Sequence, residues 1–393
     1  MSRAGVVLCR CNTLIDSKMD FNTIERRLQK HKNIVFIQRV NMACSPAGKQ
    51  IIEEMASLHG IDSLVAVACS PLAKGSVFKD LTRKLGIDKN MLEIVNIREQ
   101  CAWVHEYDDA TSKGLTLINM GINRVVKAQP DSTTINCAMI NKIKCDKCKR
   151  CLEECPNRAI SINDDGYPAV NPDLCQRCGV CIGGCPLAVI SLPDFKVDEI
   201  SAMLKGASGA KSPFIVGFFC DFAYEEADKM GQAGSAYSPN LHIIRVPCTG
   251  AVNMITVNDA IAEGVDGVLI AGCDASQCKR KRGNEVARYR IENFQKSLEE
   301  QFLEKERLSY VSLGEGLKEA SIINDDKCNR CGACQQVCPY GAIKQQDEGK
   351  FQVYYKACRS CGICAAACKP GAILVPVCPD KKIMNAIDAA LAI

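Results

Sequence analysis

One cysteine spacing, C-x2-C-x2-C-x3-C, occurs four times in this 393-residue chain and constrains it more than any other feature. The copies are Cys145-Cys148-Cys151-Cys155, Cys175-Cys178-Cys181-Cys185, Cys328-Cys331-Cys334-Cys338 and Cys358-Cys361-Cys364-Cys368. Pro156, Pro186 and Pro339 follow three copies directly, and Lys369-Pro370 follows the fourth. Such short spacings let consecutive backbone amides wrap a cubane [4Fe–4S] cluster, and the proline turns the chain away after the last ligand. Structural zinc also uses paired C-x2-C units. It seldom uses four cysteines so spaced before a proline, twice in tandem. The spacing therefore implies one-electron chemistry.

The cysteine total is 27, which in a secreted protein would suggest disulfides. No apolar signal core precedes Cys9, and the cysteines cluster at ligand spacing. Metal ligation in a reducing, cytoplasmic compartment is the expectation, in an anaerobic or microaerobic host. No uncharged apolar run is long enough for a membrane span. With 24% charged and 47% hydrophobic residues, the chain reads as more than one globular domain. The formal charge of +4 counts thiolates as neutral. Six clusters at about −2 each would bring the loaded chain to about −8. Nucleic acid is therefore not an expected partner.

The fold class reads as α/β plus α+β. Two parallel-sheet α/β domains, residues 1–135 and 212–320, alternate with two cysteine modules, residues 138–195 and 321–378. A short C-terminal helix is expected within residues 379–393. Strands are expected at Val6-Leu8, Ile34-Val40, Leu64-Ala68 and Leu92-Ile97, with amphipathic helices at Phe21-His31 and Pro46-Leu58. The second α/β domain offers strands at Phe214-Phe219, Ile243-Val246, Val268-Ala271 and Ser309-Leu313, and a long helix near Asn284-Lys305. The small, Gly/Ser-rich stretch Lys205-Ser212 reads as a linker. The two cysteine modules form an internal repeat. Each has nineteen residues between runs and a hairpin-like stretch there, Ala159-Ile162 or Ala342-Lys344.

Cysteines also follow the strands of both α/β domains. Cys9, Cys11, Cys44, Cys69 and Cys101 follow the first set, and Cys220, Cys248, Cys273 and Cys278 the second. Ligands gather at the carboxyl ends of parallel strands, so each set has the placement that one cluster needs. Spacing alone leaves three alternatives for the second set: a [2Fe–2S] site, a zinc site or buried free thiols. The first set is similar, with one cysteine to spare. Cys137 and Cys378 read as free buried thiols.

His31, His59, His105 and His242 are scattered and are not expected to be ligands. The run Lys279-Arg282 reads as a solvated loop, with partner docking as the alternative. Glycine follows the second cysteine in three runs (Gly179, Gly332, Gly362), but Lys149 stands there in the first. That run lies among Lys142, Lys144, Lys147 and Arg150. The charge implies a raised cluster potential or a docking patch for an acidic partner. No G-x-G-x-x-G fingerprint follows a strand, so neither flavin nor NAD is expected in this chain.

The paired runs resemble bacterial 2[4Fe–4S] ferredoxins, in which three ligands come from one run and the fourth from the other. That implies Cys145, Cys148, Cys151 with Cys185, and Cys175, Cys178, Cys181 with Cys155. It likewise implies Cys328, Cys331, Cys334 with Cys368, and Cys358, Cys361, Cys364 with Cys338. The N-terminal stretches Cys9-Arg10-Cys11-Asn12, Met42-Ala43-Cys44-Ser45, Val67-Ala68-Cys69-Ser70-Pro71 and Asn96-Ile97-Arg98-Glu99-Gln100-Cys101-Ala102-Trp103-Val104-His105 resemble the N-terminal domain of the A subunit of heterodisulfide reductase. The resemblance implies a [4Fe–4S] cluster with dispersed cysteine ligands. Residues 213–313 resemble the delta subunit of methyl-viologen-reducing hydrogenase through Arg245-Val246-Pro247-Cys248-Thr249-Gly250, Glu263-Cys273, and Cys278 with Gly283-Asn284. That implies a [2Fe–2S] cluster. The chain departs from the hydrogenase family in keeping a lone Cys220 in the first motif. It departs from the heterodisulfide reductase family in lacking the flavin-binding domain.

The resemblance implies an electron-relay subunit with five [4Fe–4S] clusters and one [2Fe–2S] cluster. It would belong to an anaerobic heterodisulfide-reductase-like oxidoreductase complex and serve a flavoprotein, hydrogenase, formate dehydrogenase or other metalloenzyme. Two alternatives stand beside it. One is an oxidoreductase with its own substrate site at the N-terminal cluster. The other is a structural or storage protein with zinc in the α/β sites.

Overall fold

The computed structural model describes residues 2–130, 136–207, 210–234, 237–273, 278–312, 322–338, 341–346, 349–354 and 363–374. Strands β1 (Ala4–Cys9), β2 (Ile34–Val40), β3 (Ser63–Ala68) and β4 (Leu92–Asn96) form a parallel sheet in the order β2-β1-β3-β4. β1 and β3 are buried at every position, so they read as continuous apolar runs. Helices α1 (Phe21–Leu28), α2 (Pro46–His59), α3 (Pro71–Lys84) and α4 (Tyr107–Lys127) cover the two faces. Ile24 and Ile118 pack on one face, and Ile52, Phe78 and Leu81 on the other. Asp20, Ser45 and Ser70 cap α1, α2 and α3 with their side chains, and proline opens α2 and α3. α1 ends at Leu28, short of the expected His31, because the chain turns there to enter β2. The strand order reverses between β1 and β3, which places a crevice beyond Cys9 and Ala68.

The next stretch contains two antiparallel pairs. β5 (Met139–Ile140) pairs with β8 (Ile190–Ser191), and β6 (Ile160–Ile162) with β7 (Pro168–Val170). The short helices α5 (Arg150–Glu154) and α6 (Val180–Gly184) each begin just after the second cysteine of a run. Helix α7 (Val197–Gly206) follows and corrects the linker expectation, since Lys205 and Gly206 are helical. α7 packs against α4, where Arg124 lies 3.0 Å from Glu93 and 3.3 Å from Glu199. A β-carbon on Gly206 would stand 2.6 Å from the Asn119 carbonyl oxygen, so composition that looks like a linker reflects close helix packing instead.

Strands β9 (Ile215–Cys220), β10 (Leu241–Val246), β11 (Gly267–Gly272) and β12 (Leu308–Ser312) repeat the first topology, in the order β10-β9-β11-β12. Helices α8 (Asp221–Gln232), α9 (Met254–Ala262) and α10 (Gly283–Glu300) accompany them. α10 stops five residues short of the expected Lys305, and a 3-10 turn at Lys305–Arg307 leads into β12.

A separate compact unit holds the second cysteine module. There β13 (Ile322–Ile323) pairs with β16 (Ile373–Leu374), and β14 (Ile343–Gln345) with β15 (Phe351–Val353). α11 (Ala333–Val337) and α12 (Ile363–Ala366) occupy the places of α5 and α6. The strand pairing of the first module is thus repeated. The expected helix in residues 379–393 lies outside the described residues. No helix among the described residues is long and apolar enough to cross a membrane.

Candidate cluster sites

In the first cysteine module the two runs interleave. Cys175, Cys178 and Cys181 line one cavity with Cys155. Cys145, Cys148 and Cys151 line another with Cys185. In the second module Cys328, Cys331 and Cys334 line a cavity with Cys368. Each cavity gathers three cysteines of one run and the last cysteine of the other. Of the fourth set, Cys358 and Cys361 lie outside the described residues; Cys338 and Cys364 pack in one core.

The last cysteine of every run accepts a backbone N–H from four residues on. The donors are Ala159 to Cys155 (3.3 Å), Val189 to Cys185 (3.4 Å), Ala342 to Cys338 (3.3 Å) and Ala372 to Cys368 (3.2 Å). The position after the second cysteine is left-handed in all three described runs, with φ of 74° at Gly179, 76° at Gly332 and 66° at Lys149. Glycine takes that conformation freely. Gly179 is further constrained, because a β-carbon there would lie 2.7 Å from that of Ala251. Burial raises the Cys151 thiol to about 11 and pushes Cys181 higher still. Bound iron would replace those protons, so a cavity ringed by four thiols fits an iron–sulfur cluster.

The second parallel sheet delivers its cysteines from separate strand ends. Cys220 closes β9 and opens α8, Cys248 follows β10, and Cys273 follows β11. Their side chains meet with that of Cys278. Cys220 contacts Cys273, Cys273 contacts Cys278, and Cys278 contacts Cys248. Thiol donation from Cys248 and Cys273 holds Cys278 far below the usual thiol range. Donation and burial raise Cys248 and Cys273. Glycine is required beside the quartet, since a β-carbon on Gly283 would sit 2.3 Å from Cys248 Sγ. Asn284 Nδ2 and Tyr310 Oη donate to the Cys273 carbonyl at 3.1 and 3.3 Å. Four thiols meeting in a space trimmed by glycine fit a small cluster. Among the described residues no group of His, Cys, Asp or Glu is arranged as the ligands of a single metal ion.

The quartet adjoins the first module. Cys248, Val286, Cys178 and Val180 form one buried cluster. Arg290, 9% exposed, donates to the Gly250 carbonyl at 2.7 Å, to the Val180 carbonyl at 3.0 Å, and to Glu154. Asn253 Nδ2 donates to the carbonyls of Ile182 and Cys185, both at 2.8 Å. Arg280 donates to the Gln176 carbonyl at 2.9 Å and Lys281 to the Pro156 carbonyl at 3.3 Å. The Lys279-Arg282 run is therefore not simply a solvated loop; two of its cations fasten it to the first module.

The five N-terminal cysteines divide into four and one. Cys9 ends β1, and Cys11, Asn12 and Thr13 continue in three consecutive left-handed conformations. Cys9 Sγ accepts the Ala43 N–H at 3.5 Å and lies in the electrostatic field of Cys11 and Cys44. Cys69 lies within reach of Arg98, Cys11 and Cys9, and burial lifts its thiol to about 12. Arg98 Nη1 donates to Cys11 Sγ at 3.2 Å; the guanidinium also pairs with Glu99 at 2.6 Å and stacks 4.4 Å from the Trp103 ring centre. Cys101 is placed differently. It lies on a π-helical turn, Arg98–Ala102, that directs it into the core against Met19 and Gly114 of α4. Its charged neighbour is Lys113, and burial raises its thiol to about 12.

That region also joins the first sheet to α8. Tyr224 Oη accepts from Asn96 at 3.3 Å and from Gln100 at 3.0 Å. Asp228 accepts from Asn96 at 2.9 Å and from Ser70, and burial lifts it to about 7. Lys113, 2% exposed, lies 3.0 Å from His105 Nε2 and 4.3 Å from the Tyr237 ring centre. Burial lowers it to about 7. Arg290, Asn253 and Lys113 carry no motif, so spacing and composition gave no sign of them. Cys137 is buried beside the Ala138 carbonyl, and Cys378 lies outside the described residues.

Residues 215–326 match the family of the delta subunit of methyl-viologen-reducing hydrogenase. Residues 144–189 match a 4Fe-4S dicluster domain and residues 321–344 a 4Fe-4S binding domain. The chain thus carries ferredoxin-type iron–sulfur domains. It is 34% identical over 122 residues to the A subunit of a ferredoxin/F420H2-dependent CoB-CoM heterodisulfide reductase from Methanosarcina acetivorans. That stretch is 30% of this chain but 15% of the relative, so the chain spans only a small part of that protein. Similarity to the iron–sulfur D subunits of F420-non-reducing hydrogenases is more complete. It is 36% over 116 residues for Archaeoglobus profundus, covering 29% of this chain and 85% of the relative. It is 37% over 127 residues for Methanococcus voltae, covering 31% and 88%. Since nearly the whole of those hydrogenase subunits is contained in it, the chain belongs to the methyl-viologen-reducing hydrogenase delta subunit family.

Proposed function

We propose that the chain is a multi-cluster electron-transfer subunit of a heterodisulfide-reductase-like oxidoreductase complex, without a substrate site of its own. The observation that carries this reading is the interleaving of runs, three thiols from one and the fourth from its partner around each described cavity. The domain limits remain those expected from sequence, 1–135, 138–195, 212–320 and 321–378, alternating along the chain. Four [4Fe–4S] clusters are assigned to the four interleaved sets, including Cys358, Cys361 and Cys364 with Cys338. A [2Fe–2S] cluster is assigned to Cys220, Cys248, Cys273 and Cys278. Cys9, Cys11, Cys44 and Cys69 are assigned a fifth [4Fe–4S] cluster, and Cys101 is read as a structural thiol. Bound there, each cluster takes up and releases single electrons. The chain's own contribution is burial, N–H···S bonds and the Arg98 contact, which set potential and spacing. The partners are redox subunits: a flavoprotein, a hydrogenase, a formate dehydrogenase or another metalloenzyme.

The test is analysis of anaerobically purified protein for iron, acid-labile sulfide and zinc. Full loading gives about 22 irons per chain. A value near about 16 would leave both α/β sites without clusters, and zinc in their place would sink the assignment. Cys101→Val should retain all the iron, whereas Cys69→Ala should lose about four atoms.

A further inference from the structure

Within the first module the two cavities face different surroundings. The cavity of Cys155, Cys175, Cys178 and Cys181 backs onto the hydrogenase-like sheet, and Cys178 and Cys181 are buried. The cavity of Cys145, Cys148, Cys151 and Cys185 opens outward, and Cys148 is exposed. Lys149 and Arg150 line it, and Lys142, Lys144 and Lys147 are exposed in the same stretch, Lys144 on the wall of the neighbouring groove, against the single carboxylate of Asp146 within that stretch. Ile143 stands among them, 97% exposed.

Several other cations near the first module are engaged locally. In the neighbouring groove Lys127 pairs with Asp198 at 3.6 Å, Lys196 with Glu199 at 3.1 Å, and Lys205 with Glu263 at 3.9 Å. Arg280 and Lys281 are engaged by backbone carbonyls. Lys147 is held by the Asp165 carbonyl and the Tyr167 ring. Among the described residues, the side chains of Lys142, Lys144, Lys149 and Arg150 form no ion pair or hydrogen bond. The second module also exposes its second cysteine, Cys331, but there Asp325 and Asp326 balance Lys327 and Arg330. Lys149 is further distinguished by its left-handed φ of 66°, at a place where the other runs have glycine.

We propose that this surface is the docking site of a small acidic electron-transfer protein of the ferredoxin type. The proposal rests on the electron-transfer reading above and deepens it by naming the face that receives the partner. Unpaired cations attract and orient an acidic protein over the outward cavity, and Ile143 supplies the apolar centre of the contact.

The test measures binding rather than turnover. An acidic 2[4Fe–4S] ferredoxin, kept oxidised so that no electron moves, is titrated calorimetrically into the full chain under anaerobic conditions. Binding should weaken at least ~10-fold between about 50 and about 300 mM salt. Lys142→Glu with Lys144→Glu should weaken it by a similar factor, about 10-fold or more. Lys149→Gly relieves the left-handed lysine while removing its charge, so it should weaken binding without unfolding the module. Absence of binding, salt-independent binding, or unchanged affinity in these variants would overturn the proposal. Equal affinity for a random single-stranded DNA oligomer would also overturn it, by showing a surface for polyanions in general. Iron and sulfide measured on the same samples separate the two readings. A fully loaded chain that ignores the ferredoxin refutes the docking site alone, whereas a chain without clusters refutes the electron-transfer reading.

Discussion

Arg290 offers the sharpest test of how the hydrogenase-like unit is fastened to the first ferredoxin module. Its guanidinium reaches the Gly250 carbonyl beside Cys248, the Val180 carbonyl between Cys178 and Cys181, and the Glu154 carboxylate next to Cys155. Arg290→Met keeps much of the apolar stem and removes all three bonds. Two buried carbonyls left unpaired cost about 1 kcal/mol each. Glu154 is 25% exposed, so losing its partner adds only about 1 kcal/mol. Against this, Arg290 Nε has no partner in the wild type, and methionine recovers part of that desolvation cost. The net loss is about 2 to 3 kcal/mol, or ~30-fold to ~150-fold in local opening. Amide hydrogen exchange reads such opening directly. Protection of the Val180–Gly184 helix and the Thr249–Ala251 turn should fall by that factor, while α2 in the N-terminal sheet keeps its own. A change below about 3-fold at these amides would refute the view that Arg290 clamps two cluster loops together.

Lys113 is buried with its pKa lowered to about 7, so the protonated amine burdens the fold and stability rises as pH climbs from about 7 toward the ordinary lysine value. His105, Cys101 and Tyr237 face it, and Lys113→Met should raise the urea midpoint at pH ~6 and flatten the rise toward pH ~9; a lower midpoint at both would contradict this. Gly179→Ala sets a β-carbon against Ala251 in a left-handed backbone and should cost about 2 kcal/mol or more. It should also lower iron by about four atoms per chain, and full iron content would count against Gly179 shaping that cavity.

Strands were legible in both states of burial. β1 and β3 are buried throughout and the predicted segments fall on them, and the partly buried β2 has the expected bounds. The hairpins between cysteine runs were legible because the repeat displays them twice. Helix α7 was not legible. It ends in Lys205-Gly206 and is followed in sequence by Ala207-Ser208-Gly209, and local composition alone favours a linker. Gly206 is present because α4 approaches too closely for a side chain, which is a tertiary fact. The long helix α10 was overextended for a related reason. Its charged tail continues the helical pattern, but the chain must turn at Gln301-Phe302-Leu303 to bring β12 alongside β11.

The interleaved cysteine sets could be read from sequence because each run places its cysteines within a few residues of loop. In the α/β units the cysteines come from different strand ends, and order along the chain carries no such information. There the strand order decides. Cys9 and Cys11 leave β1, Cys69 leaves β3, and Cys44 lies in the loop after β2, all around the crevice where the sheet order reverses. Cys101 also follows a strand and belongs to the most motif-rich stretch of the domain. Yet β4 is an edge strand, and the π-helical turn after it carries the cysteine down to α4 while Arg98, three residues earlier, is aimed at Cys11. A single extra residue in a helical turn thus separates the two, sending the arginine to the crevice and the thiol to the core. Backbone geometry thus sets Cys101 apart from the other four cysteines, which no count of cysteines could do.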